Sequence, residues 1–132
     1  MSDKFIVEII TPDKSILKSE ALEVTIPSYE GQMGILKDHI SLITFLRPGI
    51  IIIQGQENKN YYVEEGTVEF SNNNLLILTS TIRDLKDLSQ NSIADLLSQA
   101  QNKLSDNNSS DKEKYLLSYK ISTLKEINQK II

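Results

Sequence analysis

The sequence predicts an α+β protein in which an N-terminal β-sandwich is followed by a C-terminal antiparallel two-helix hairpin. Up to Thr81 the chain contains many short apolar or alternating segments separated by turn residues, which is the pattern of a sandwich or barrel. From Ile82 onward, apolar residues recur at intervals of three and four, as on one face of a helix. The polar residues 105–110 separate two such stretches. We therefore predict a β-sandwich domain over residues 1–84 and a helical hairpin over residues 85–132.

Three strands are expected before the centre of the first domain. Alternation over residues 5–10 indicates the first strand, and Pro12 and Asp13 supply turn chemistry after it. Residues 15–17 and 21–26 predict two more strands. The last of these ends at Pro27, which cannot donate to a sheet ladder.

The sandwich is expected to be organised around residues 31–49, GQMGILKDHISLITFLRPG. Gly31 and Gly34 are spaced for a tight bend in which at least one residue needs φ > 0. Residues 42–46 are strand-prone, and the Arg-Pro-Gly sequence at 47–49 ends that strand. Later strands are predicted over residues 49–53, 61–63, 67–70 and 75–79, with an Asn-rich loop at 71–74 that tolerates left-handed conformations.

Two amphipathic helices are predicted in the second domain. Ser89 is a candidate N-cap for the first helix, and Asp111 is a candidate cap for the second. The first apolar stripe consists of Ile93, Leu96, Leu97, Ala100 and Leu104. The second consists of Leu117, Ile121, Leu124, Ile127 and Ile131. Neither helix is expected to be stable alone in water, so the two should fold back on each other.

The composition argues against several classes of function. The 132-residue chain has no apolar run near the ~18 residues of a membrane span, so direct membrane insertion is not expected. The absence of cysteine removes disulfide and thiolate chemistry. Because nucleic-acid binding depends on clustered Lys and Arg, a net charge of −4 predicts no nucleic-acid partner. The first four residues lack the layout of a signal or transit peptide, which favours a bacterial cytoplasmic address.

Few residues could carry chemistry. A metal site would need carboxylates around His39, the single histidine, and a surface or hydrogen-bonded structural histidine is the interpretation we favour. There is no G-x-S-x-G elbow, and Glu64 and Glu65 are strand neighbours that point to opposite faces. We therefore predict no catalytic residue, no metal site and no cofactor. An adaptor that touches other proteins and a free-standing ligand-binding β-sandwich both remain open at this point.

Two segments carry a resemblance to a known family. The first contains Pro27, Gly31-Gln32-Met33-Gly34, Ile35-Leu36, His39, Leu42-Ile43-Thr44 and Arg47-Pro48-Gly49. The second runs from Glu65-Gly66 through the Asn turn to the strand at residues 75–78. The chain resembles the epsilon subunits of bacterial F-type, rotary, proton-translocating ATP synthases over essentially its whole length. Lys37-Asp38 and Ser41 replace a common Pro-Gly and a common Pro of that family, so this turn should be less rigid.

The resemblance implies a non-catalytic rotor subunit of the central stalk that links the gamma subunit to the c-ring and couples proton translocation to ATP synthesis. It also implies that the hairpin lies against the sandwich or extends toward the alpha and beta subunits, where it would oppose ATP hydrolysis. The implied location is peripheral, on the cytoplasmic side of the bacterial inner membrane.

Candidate contact residues follow for each of these partners. By the resemblance, Glu30, Gly31, Gln32 and Met33 are expected to form a turn that faces the c-ring, with His39 close by. A two-layer sandwich buries one face of a strand, so the apolar run at residues 50–53 should leave one face for gamma or for the hairpin. The gamma-contact candidates are Ile51 and Ile52. The second helix carries five lysines against three acids, and its candidates for contact with beta are Lys112, Lys114, Lys120 and Lys125.

The hairpin is expected to bind ATP weakly or not at all. Family members that sense the nucleotide are implied to begin the first helix with Ile/Leu-Asp-x-x-Arg-Ala, where Asp and Arg contact it. The nearest match here is LSQNSI at residues 88–93, so Ser89, Ser92 and Ile93 replace the Asp, Arg and Ala. Losing a charge-assisted arginine–phosphate contact should cost more than an ordinary hydrogen bond of ~1 kcal/mol.

Overall fold

A computed structural model describes residues 3–131 of the chain, with side-chain environments for residues 3–130. The predicted stripe position Ile131 therefore has its side chain outside the described residues. The strands are β1 (Phe5–Ile10), β2 (Ser15–Ala21), β3 (Glu23–Ser28), β4 (Gly31–Leu36), β5 (Leu42–Leu46), β6 (Gly49–Gln54), β7 (Lys59–Val63), β8 (Gly66–Ser71), β9 (Asn74–Leu78) and β10 (Arg83–Asp84). The helices are α1 (Gln90–Leu104) and α2 (Asp111–Ile131), preceded by a single 3-10 turn at Leu85–Asp87.

The ten strands form one continuous sheet that folds over into two layers. Its order is β10-β7-β6-β3-β5-β8-β9-β1-β2, with β4 paired to the other edge of β3. The two halves of this path meet at one register pair, Ser28 with Leu46. Strand β1 pairs in parallel with β9, whereas the other pairings within residues 3–131 are antiparallel. The predicted α+β architecture of a sandwich followed by two helices is confirmed.

The core lies between the two layers and is built by alternation along the strands. Successive side chains of a strand point to opposite faces, so every second residue enters the core. The fully buried positions that show this most clearly are Val7, Ile9, Val24, Ile26, Ile51, Ile53, Val68, Phe70, Leu75 and Ile77. Strand β1 shows the pattern as predicted, since Phe5, Val7 and Ile9 are buried and the residues between them are half-buried.

Of the two glycines that are spaced for a tight bend, Gly31 follows a turn and Gly34 lies within a strand. Gly31, with φ of 122°, supplies the positive φ that the bend was expected to need. Gly34 lies inside β4, where it pairs with Thr25 of β3. The positive φ is therefore confirmed at Gly31, but the bend does not extend to Gly34, because two glycines spaced three apart do not distinguish a turn from an antiparallel strand that follows one.

Other turns and caps agree better with the sequence. Asn72 and Asn73 have φ of 50° and 59°, which confirms the predicted left-handed loop. Ser89 caps α1 by accepting the backbone N–H of Ser92, also as predicted. The predicted cap of α2, Asp111, is wrong by one residue. Ser110 caps the helix, since its Oγ accepts the backbone N–H of Glu113 at 3.1 Å.

The hairpin packs on the outer face of strands β6 and β7. Ile50 and Tyr62 are register partners on that face, and Tyr62 is completely buried there. The buried residues of this second cluster are Tyr62, Leu88, Ile93, Leu124 and Ile127. Among the described residues, neither helix has the length and apolar content needed to cross a bilayer. The division of the chain at residues 84 and 85 stays a prediction.

Candidate functional site

The turn between β3 and β4 presents polar groups at one end of the sandwich. Ser28 Oγ donates to the carbonyl of Gly31 at 2.7 Å and accepts the backbone N–H of Glu30 at 3.2 Å, which closes the turn. Glu30 and Gln32 are exposed. Met33 is half-buried and packs against the main core. Of the predicted turn residues, Glu30 lies in the turn itself, and Gly31, Gln32 and Met33 begin β4.

His39 does not lie close to that turn, contrary to the prediction. Strand β4 runs from Gly31 to Leu36, and at about 3.3 Å per residue these positions are separated by roughly 16 Å. The backbone N–H of His39 donates to the carbonyl of Leu36, so His39 follows the far end of the strand. The glycine spacing predicts a bend over Gly31 to Gly34, whereas the chain is extended there and carries His39 away from the turn.

The environment of His39 is that of a structural histidine. Its ring packs edge-on against Phe70 with 5.9 Å between ring centroids. Nδ1 lies 2.7 Å from the carbonyl oxygen of Ile40, and since a carbonyl can only accept, Nδ1 carries the proton. The neighbouring Asp38 exchanges two hydrogen bonds with Asn73: its backbone N–H donates to Oδ1 at 2.7 Å, and its carboxylate accepts from Nδ2 at 3.0 Å. The loop between β4 and β5 is therefore held against the β8–β9 turn by these two hydrogen bonds.

The two isoleucines proposed for gamma occupy different environments. Ile51 is completely buried in the main core. The prediction that Ile51 contacts gamma is therefore wrong for this structure, because its side chain does not reach the surface. Ile52 points outward, and it borders a cleft of about 220 Å³ between the sandwich and α2. The outer face of this strand is thus occupied by the hairpin, which was the other partner that the sequence allowed.

The four lysines proposed for beta also differ. Lys112, Lys114 and Lys125 are exposed. Lys120 is half-buried, and its Nζ lies 3.2 Å from Glu64 Oε2 in an ion pair. The charge of Lys120 is therefore paired with a carboxylate of the same chain.

An exposed apolar surface on the outer face of β5 was not predicted from the sequence. We call it the β5 patch: it consists of Tyr29, Ile43, Phe45 and Leu78. Ile43 is 75% exposed and Phe45 is 56% exposed, because both side chains lie on the outer face of β5. Tyr29, Phe45 and Leu78 line a cleft of about 670 Å³. The signal was present in the sequence, since residues 42–46 are apolar on both faces of the strand except at Thr44.

At the start of α1, the positions of the sensing motif hold a capping side chain and a buried side chain in place of groups that could contact a nucleotide. Ser89 Oγ is committed to the helix cap and lies 3.0 Å from Ser92 Oγ. Ile93 is completely buried in the cluster between hairpin and sandwich.

Burial of Tyr62 raises the pKa of its phenol, and the Glu64 carboxylate raises that pKa further, so the hydroxyl stays a hydrogen-bond donor. Across the described residues, no three His, Cys, Asp or Glu side chains come together in a way that could hold a metal ion.

Comparison with known proteins identifies relatives of the whole chain. The family described as "ATP synthase, Delta/Epsilon chain, beta-sandwich domain" matches residues 4–84. The ATP synthase epsilon chain of Pelagibacter ubique (strain HTCC1062) is 50% identical over 130 residues, which cover 97% of this chain and 100% of that one. The ATP synthase epsilon chain of Sulfurimonas denitrificans (strain ATCC 33889 / DSM 1251) is 33% identical over 100 residues, covering 74% of this chain and 77% of the relative.

Solved structures share the fold at low sequence identity. A chain in the Euglena gracilis mitochondrial ATP synthase (OSCP/F1/c-ring, rotational state 1) matches with a TM-score of 0.77 and 19% identity, covering 100% of this chain and 84% of that one. A chain in the Tetrahymena thermophila mitochondrial ATP synthase (central stalk/c-ring) matches with a TM-score of 0.62 and 16% identity, covering 96% of each chain. These matches show the fold, and the closer sequence relatives show the family. This protein therefore belongs to the ATP synthase epsilon chain family, whose members are subunits of that enzyme.

Proposed function

We propose that this chain links the gamma subunit to the c-ring in the central stalk, and that it thereby couples proton translocation to ATP synthesis. Membership of the epsilon chain family supports a place in the rotor. The observation that carries the proposed mode of action is the β5 patch, an apolar surface that the hairpin leaves uncovered. We further propose that the subunit is peripheral, on the cytoplasmic side of the bacterial inner membrane.

The β5 patch is the surface that we assign to gamma. Its four residues are each between 40% and 75% exposed, and two of them are aromatic. Contiguous exposed apolar surface is characteristic of protein interfaces, and aromatic side chains are enriched in their centres. The outer face of the other layer is covered at β6 and β7 by the hairpin, so Ile52 becomes a candidate for gamma only if the hairpin moves away.

The β3–β4 turn is the surface that we assign to the c-ring. It presents Glu30 and Gln32 to solvent, and polar groups suit a joint at the surface of a membrane. Gly31 supports this role by the left-handed backbone of the turn, and Met33 supports it by packing the turn onto the core. Because His39 lies at the far end of β4, we no longer assign it to the same contact.

The hairpin is assigned to the alpha and beta subunits when it extends from the sandwich. Lys112, Lys114 and Lys125 are exposed and could meet acidic groups directly. Lys120 could do so only after its ion pair with Glu64 had opened. An extended hairpin that reaches the catalytic subunits would oppose ATP hydrolysis.

Copurification tests the assignment of the β5 patch. Phe45→Glu places a charge in the centre of the patch, and because the side chain is 56% exposed, the fold should tolerate it. We expect this variant to copurify with much less gamma than the wild type. Leu22→Glu is the matched control, since Leu22 is 43% exposed but lies outside the patch. Full retention of gamma by both Phe45→Glu and Ile43→Glu would refute the assignment.

Crosslinking tests the orientation toward the c-ring. The chain contains no cysteine, so a cysteine at Gln32 and one in the polar loop of the c subunit would be the only reactive pair introduced by design. We expect a crosslink from Gln32→Cys and none from His39→Cys at the opposite end of the strand. The reverse pattern would mean that the sandwich stands the other way up.

A further inference from the structure

We propose that Glu64 and Arg47 form a docking latch that holds the hairpin on the sandwich through two consecutive residues of α2, Lys120 and Tyr119. The latch is a property of the isolated chain. It therefore does not rest on the assignments of gamma and the c-ring made above, and its failure would leave them standing.

The sandwich holds the Glu64 backbone in a rigid turn. Thr81 Oγ1 accepts the backbone N–H groups of Glu64 and Glu65 at 3.1 and 3.2 Å. Thr79 Oγ1 in turn donates to the carbonyl of Glu65 at 2.6 Å. Side-chain hydroxyls thus fix both ends of the β7–β8 connection, and the carboxylate of Glu64 projects from a backbone that has little freedom.

That carboxylate is the first half of the latch. Lys120 Nζ lies 3.2 Å from each of its oxygens, and the Tyr62 hydroxyl donates to Oε2 at 3.2 Å. The side chains of Lys120 and Glu64 are only 16% and 27% exposed. A pair this sheltered is screened less than one on the open surface, and removing one partner leaves the other charge partly desolvated.

Arg47 supplies the second half. Its guanidinium carbon lies 3.9 Å from the centroid of the Tyr119 ring, which is the geometry of a cation–π contact. Arg47 Nε is buried and has no hydrogen-bond partner among the described residues. One turn further along α2, Thr123 Oγ1 approaches the carbonyl of Pro48 at 3.5 Å.

The latch gives the docked hairpin a defined position. The apolar cluster beneath α2 contributes burial, which is non-directional and would tolerate sliding of the helix by small amounts. Adjacent residues of a helix point about 100° apart, so contacts at Tyr119 and Lys120 fix both the rotation and the height of α2. We therefore expect the docked population to depend on the charges at positions 64 and 120, and not only on apolar burial.

Charge reversal with a crosslinking readout tests the latch on the full chain. Cysteines at Gln32 and Ser122 report docking, because both residues are exposed and border the same cleft between sandwich and α2. A short bifunctional maleimide should join them when the hairpin is docked. Lys120→Glu and Glu64→Lys should each lower the ratio of docked to undocked chain about tenfold, as expected for the loss of a charge-assisted contact.

The combined variant and a control complete the experiment. Lys120→Glu with Glu64→Lys restores an opposite-charge pair and should restore crosslinking. Lys125→Glu makes the same charge change at an exposed site of α2 and should leave crosslinking unchanged. Tyr119→Leu, which keeps apolar bulk but removes the ring, should lower it. Far-UV circular dichroism establishes that each sandwich is folded. Wild-type crosslinking in both single reversals, or no recovery in the combined variant, would overturn the proposal.

Discussion

Alanine substitutions of the neighbouring residues Ile51 and Ile52 should lower the free energy of unfolding by different amounts, because the two side chains lie on opposite faces of β6. Ile51→Ala removes three carbons from a side chain with no exposed surface in the main core. Substitutions of this kind cost about 2–5 kcal/mol, and we expect about 3–4 kcal/mol because the site is closed on all sides. Ile52→Ala removes the same atoms beside an open cleft of about 220 Å³, where solvent already enters. We expect about 1 kcal/mol there.

Urea unfolding followed by circular dichroism measures both changes. With a slope near 2 kcal/mol per molar urea, the midpoint should fall by roughly 1.5–2 M for Ile51→Ala and by roughly 0.5 M for Ile52→Ala. Ile51→Val, which removes one methyl from the same core site, should cost about 1 kcal/mol and serves as the control for cavity size. Equal midpoints for the two alanine variants, or a larger loss at Ile52, would refute the assignment of Ile51 to the core and of Ile52 to the cleft.

Three further outcomes are expected. Gly66→Ala should lower the free energy of unfolding by about 1–3 kcal/mol, since Gly66 has φ of 155° and a Cβ there would lie 2.5 Å from the Leu78 carbonyl oxygen. Gly34→Ala is the control and should cost little, because its Cβ would meet only the Glu23 side chain at 3.6 Å. Ser110→Ala should cost about 1 kcal/mol through loss of the α2 cap, visible as helical signal lost at lower temperature. Calorimetric titration of the isolated chain with ATP should show no micromolar binding; binding at that strength would contradict the interpretation drawn from the first helix.

The sequence was sufficient for the architecture because each element carries its own local signal. Alternation in β1, the Asn turn before β9 and the Ser89 cap of α1 are all short-range patterns, and each was confirmed. The cap of α2 was placed one residue late, because Ser110 and Asp111 are both good capping residues and only the backbone geometry distinguishes them.

The contact surfaces were harder to predict, because they depend on which strand faces which neighbour. An apolar run on both faces of a strand indicates a second contact but does not identify the partner: at Ile52 it is the hairpin, and at Ile43 and Phe45 it is left open. Lys120 could not be distinguished from the exposed lysines of α2, since its partner Glu64 is 56 residues away in the chain.

The parallel pairing of β1 with β9 has a consequence for how the chain folds during synthesis. Ile6 pairs with Asn74, so the first strand must wait for almost seventy further residues before its inner neighbour exists. Contacts between such distant residues carry a large loop-closure cost and slow folding. Among the residues that the structure describes, the main core has no fully buried member beyond Ile77, so it can close once β9 has left the ribosome, before either helix is complete. The hairpin would then form against a finished surface, and the unpaired edge of β1 would be the vulnerable site of the nascent chain until that moment.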